Sequence, residues 1–165
     1  MNLHEKLSPH FALSEFVISP TATRMGFDNT PSQIQINNLK GLCLSILEPL
    51  RNHYSLPLVV AAGYRCPQLN TLVGGSLTSQ HVRGEACDFH IPTIELKNIF
   101  EYVVLHSFLV YNQIIYEFPP DGWIHIAFNS NRPNKMRNTV AKKDENENTI
   151  YTDYSKIDVE MTKYE

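Results

Sequence analysis

A chain of 165 residues, 42% of them hydrophobic, is the size of one domain and long enough to bury a core. Its net charge of −3 at pH 7 gives no electrostatic case for binding nucleic acid or an anionic membrane surface. No apolar run approaches the ~20 residues a membrane span needs. Cys43, Cys66 and Cys87 are odd in number and widely spaced, which argues against a disulfide framework. Cys43 and Cys87 read as small core residues, and Cys66, beside Arg65, as a more exposed one.

Residues 11–16 read as a short helical turn capped by Ser14, and residues 19–28 as a loop. Thr30-Pro31 offers a capping hydroxyl followed by proline, so the longest helix is expected to open there. Leu39, Leu42, Cys43, Ile46, Leu47 and Leu50 recur at threes and fours and define its core stripe. Pro49 should kink or divide this helix. Residues 58–62 are short, partly β-branched and bounded by Pro57 and Gly63, as in a buried strand. Residues 63–78 read as a long loop.

Residues 85–90 form a second strand, and Thr93 is expected to cap a helix running to about 106. Residues 113–118 and 123–128 form a hairpin across Pro119-Pro120-Asp121-Gly122. Helices first, then strands with one helix between, favour an α+β domain on a small antiparallel sheet with flanking helices. One domain is expected over 1–128. Residues 129–165 are a polar C-terminal extension, either a disordered tail or a partner-binding strand.

His81, Asp88 and His125 are nitrogen and oxygen ligands of the kind a catalytic zinc uses, with a fourth position left for water. The seven-residue gap from His81 to Asp88 is too irregular for one helix face and suits a loop histidine followed by a strand aspartate, with Gly84 at the turn. Alternation puts Asp88 on the strand face opposite Cys87, and Trp123, His125 and Ala127 together on one side of the next strand.

Ser-x-His-x-x-Gly-x-Ala-x-Asp (79–88) followed by Trp-x-His (123–125) resembles the zinc D-alanyl-D-alanine peptidases, peptidase family M15. The likeness runs from about residue 11 to 128. It includes Gly63-Tyr64-Arg65-Cys66-Pro67, Asn70, Gly74-Gly75 and the stretch from Gln113 to Glu117.

The resemblance implies a hedgehog/DD-peptidase-like fold, a Zn2+ cofactor on His81, Asp88 and His125, and hydrolysis of amide bonds in peptidoglycan stem peptides. It leaves open whether the enzyme is a D-Ala-D-Ala carboxypeptidase or an endolysin-type endopeptidase. The alternative is a non-catalytic wall-binding or virion module that keeps the zinc. Glu117, whose parity matches His125, stands ahead of Asp121 as general base. Arg65 is the substrate arginine, binding a carboxylate or an oxyanion. Ser79 is expected to bond substrate backbone or to cap a turn. Gln80 and Trp123 complete the expected substrate contacts, while His90 reads as a solvent histidine. Ala127 stands where relatives commonly carry serine. Residues 1–10 lack the apolar core of a secretory signal. The expectation is a monomer acting on the cell wall, either phage- or prophage-encoded and released at lysis or carried on a virion, or else reaching the wall after processing or by a leader trimmed from this sequence.

Overall fold

The computed structural model describes residues 2–154. Short helices α1 (Ser14–Val17) and α2 (Pro20–Met25) come first. Ser14 lies inside α1 and does not cap it. The stretch expected as loop forms α2, because Ser19 accepts from the Ala22 N–H, Pro20 fits the first turn and Gly26 closes it at φ 68°. The long helix starts later than Thr30-Pro31, at α3 (Gln33–Leu42). Ser32 and Gln35 form a reciprocal capping box there, which satisfies two otherwise orphaned backbone donors.

Pro49 stands where the long helix divides into two α-helical segments, as expected. A π-helical turn over Cys43–Leu47, closed by the Glu48 N–H on the Cys43 carbonyl, precedes it and leads into α4 (Glu48–Tyr54). Proline lacks the N–H its position would donate, and widening the preceding turn accommodates that loss. The expected stripe is the core: Leu39, Leu42, Cys43, Ile46, Leu47 and Leu50 are all 0% exposed. Truncating such a leucine to alanine costs about 2–5 kcal/mol.

β1 (Val59–Ala62) leads to α5 (Pro67–Leu72), a helix inside the stretch expected to be loop. Cys66 is buried, contrary to expectation, because its Sγ caps α5 by accepting from the Leu69 N–H at 3.5 Å. β2 (Ala86–His90) is followed by α6 (Leu96–Glu101) and a second π-helical turn over Tyr102–His106. The residue before α6 is Glu95, while Thr93 takes a left-handed φ of 71°.

β3 (Gln113–Glu117) and β4 (Trp123–Ala127) pair antiparallel, with Ile115 opposite His125 and Glu117 opposite Trp123. The polar extension contributes β5 (Arg137–Lys143) and β6 (Thr149–Asp153). The sheet has six strands in the order β1-β2-β4-β3-β5-β6, antiparallel except for β3 beside β5.

Each face of this sheet has one task. Cys87, Phe89, Ile114, Tyr116, Ile124 and Ile126 lie in the hydrophobic core on one side. The residues alternating with them, Asp88, Ile115, Glu117, Trp123 and His125, share the other. No helix of the described residues is long and apolar enough to cross a membrane.

Candidate metal centre

Asp88 and His125 sit directly opposite each other on β2 and β4. His81 reaches them from a 3-10 turn, His81–Arg83, that ends at Gly84. This turn needs glycine twice over. Its φ is 68°, and a Cβ there would lie 2.6 Å from the Gln35 carbonyl oxygen. α3 clamps the same turn, with Gln35 Nε2 donating to the Val82 carbonyl at 2.8 Å and Asn38 Nδ2 to the Arg83 carbonyl at 2.9 Å.

The three side chains converge and are buried, at 4% exposure for His81 and Asp88 and 6% for His125. His81 Nε2 lies 3.2 Å from His125 Nδ1, and Asp88 Oδ1 lies 3.2 Å and 2.9 Å from those two nitrogens. The outward nitrogens are committed elsewhere. His81 Nδ1 donates to the Gly63 carbonyl at 2.7 Å, and His125 Nε2 to Gln80 Oε1 at 3.0 Å. Carbonyl oxygens only accept, so these nitrogens carry the protons. In the neutral rings the lone pairs of His81 Nε2 and His125 Nδ1 then face inward, beside a carboxylate oxygen. Two ring nitrogens and a carboxylate oxygen within such distances can share one positive charge, a proton or a metal ion. The donor set therefore fits a divalent metal, and fixing each imidazole through its other nitrogen is how metal ligands are oriented.

Asp88 stays anionic here. Burial pushes its carboxyl up, but with no metal bound the positive charge and N–H donation of His81 and His125, once protonated, more than offset this and hold it well below the usual carboxylate range. Its second oxygen, Oδ2, accepts from Arg65 Nη2 at 2.5 Å. The expected substrate arginine thus grips a ligand residue, although its remaining N–H groups have no partner among the described residues and it lines the cleft.

That cleft, about 1100 Å³, opens over the triad and is also lined by Glu117, Ser79, Gln80 and Trp123. Burial raises the Glu117 carboxyl, and the charge of Asp88 raises it further against the opposing pull of His125 and Arg65. Asp121 is not brought in. It lines a separate cavity with His90 and Tyr116. Ser79 takes its turn-capping alternative, its Oγ accepting from the His81 N–H at 3.3 Å. Trp123 packs edge-on against Phe118, and its buried Nε1 has no hydrogen-bond partner among the described residues.

Sequence reasoning missed three contributors. The Gly63 carbonyl is a backbone atom and leaves no trace in residue types. Glu85, buried, ties Arg83 to Arg132 of the extension at 2.7 Å each. Arg137, Lys143 and Tyr151 of the β5–β6 hairpin line the cleft. The hairpin had a signal, since two β-prone stretches flank the polar segment 144–148.

A buried set of two histidines and an aspartate that could hold a metal ion, beside an open cleft carrying a carboxylate, has the layout of a metallohydrolase. The sequence profile of the family described as Peptidase M15 matches residues 9–127, and the chain belongs to this family of metallopeptidases. No curated protein matches the chain.

Proposed function

We propose that this chain is a zinc-dependent peptidase that hydrolyses amide bonds in peptidoglycan stem peptides. The observation that carries the reading is the inward convergence of His81 Nε2, His125 Nδ1 and Asp88 Oδ1, with each imidazole's other nitrogen already bonded. Two nitrogens and one carboxylate oxygen suit zinc with an open position. When bound, zinc supplies Lewis-acid chemistry, acidifying water and polarising a carbonyl.

Glu117 is the general base. A carboxylate oxygen takes the proton of the attacking water and returns it to the leaving amine nitrogen. The reading is supported by the position of Glu117 in the cleft-facing row of β3 and in the lining of the cleft over the triad. Arg65 has two tasks. One Nη2 bond fixes Asp88, and its free N–H groups grip a carboxylate or carbonyl oxygen of the peptide. Gln80 positions His125 and so acts through it. The peptidoglycan assignment is supported by the M15 family match, a family with cell-wall peptidases among its members.

The test is digestion of purified peptidoglycan by wild type and Glu117→Gln. Mass spectrometry of the released muropeptides should show new termini with wild type alone. Equal and negligible release by both proteins, with wall binding retained, would favour a non-catalytic module.

A further inference from the structure

Glu117 on β3 lies opposite Ala141 on β5, and Ala141 lies opposite Tyr151 on β6. Directly opposed residues share a face, so all three belong to the cleft side of the sheet. Two strand spacings put the backbones of Glu117 and Tyr151 only about 10 Å apart. The residue between them carries just a methyl group and is itself fully buried, so no long side chain of that row separates the phenol from the base. Tyr151 is 57% exposed, lines the same cleft as Glu117, and its hydroxyl has no hydrogen-bond partner among the described residues.

We propose that Tyr151 is a substrate-binding residue, its phenolic O–H donating to a carbonyl or carboxylate oxygen of the peptide held beside Glu117. The inference rests on the peptidase reading and extends it to the β5–β6 hairpin, which lies beyond the matched segment 9–127. Other hairpin groups fit the role less well. The Lys143 ammonium is engaged by the Glu147 carbonyl at 2.9 Å and sits 5.5 Å from the Phe118 ring centre. Arg137 is in the row of Gln113, on the other side of the triad from Glu117. Burial and the nearby charges of Glu117 and Asp88 raise the Tyr151 phenol, which keeps it a neutral donor.

The test uses the zinc-loaded full chain and stem peptides released from peptidoglycan by an amidase. Tyr151→Phe should lower kcat/KM about five- to tenfold, mostly through KM, with an unchanged melting temperature. Tyr151→Ala, which also removes the ring, should lower it further. In Glu117→Gln protein carrying 13C-labelled tyrosine, the Tyr151 ring signal, assigned from its absence in Tyr151→Phe, should move on adding the peptide. Cleavage by wild type with Tyr151→Phe within twofold of it would overturn the role of Tyr151 while leaving the peptidase intact. No cleavage by wild type and no peptide binding by Glu117→Gln would bring down the peptidase reading and this inference with it.

Discussion

Gln80→Leu isolates the tautomer argument from the ligands themselves. Gln80 Oε1 accepts the His125 Nε2 proton at 3.0 Å, and this bond keeps the Nδ1 lone pair aimed at His81 Nε2 and Asp88 Oδ1. Leucine keeps much of the volume but offers no acceptor. His125 is then free to carry its proton on Nδ1, where it would point into the ligand set. Losing such an outer partner typically costs 10–100-fold in metal affinity, about 1.4–2.8 kcal/mol. The assay is a zinc titration against a chromophoric chelator. Gln80→Glu, which still accepts from Nε2, should bind at least as well as wild type. If Gln80→Leu binds zinc with wild-type affinity, the hydrogen bond does not set the tautomer and the argument for a prepared site fails.

Glu117→Gln should lower kcat by about 10²–10⁴-fold with zinc retained, and Asp121→Asn should stay within twofold of wild type in the same peptide-release assay. Because Glu117 has a raised pKa, its basic form is populated only above a pH higher than the ~4.3 of an ordinary glutamate. The same shift has a stability consequence. The folded protein holds this proton longer than the unfolded chain, so the contribution to stability is present at low pH and is lost as pH rises through the folded pKa. Metal-free Glu117→Gln should therefore unfold at higher denaturant than metal-free wild type at pH 7. Gly84→Ala should destabilise by about 1–3 kcal/mol and weaken zinc binding, read by denaturant midpoint and chelator competition, because the new Cβ meets the Gln35 carbonyl in a left-handed backbone.

The triad was legible because metal ligation restricts residue type and strand alternation restricts direction. Those constraints directed Asp88 and His125, the resemblance to the M15 peptidases joined His81 to them, and odd parity put Glu117 on the face of His125 given an even hairpin register. The core stripe from Leu39 to Leu50 was legible for the same reason, as a period. Helix starts were less so. Thr30-Pro31 and Thr93 carry capping hydroxyls, but Ser32 with Gln35 satisfied more backbone donors, and the chain before α6 took a left-handed turn at Thr93. α2 hid in a threonine-containing stretch where propensity is weak but Ser19, Pro20 and Gly26 mark both ends. Arg65 was placed in the site, yet its bond to Asp88 depends on how β1 and β2 pair. The β5–β6 hairpin pairs with β3 across 20 and more residues of sequence, and no local pattern reports such a long-range partner.

The proposed hydrolysis depends on His81, Asp88 and His125 holding one ion. X-ray absorption and metal analysis of the purified protein after zinc loading address that directly. One zinc per chain is predicted, with only nitrogen and oxygen neighbours at about 2.0–2.2 Å. That zinc should be lost in a His125→Ala variant that still folds. Zinc absent from the loaded wild type, or bound equally well by the variant, would contradict the account.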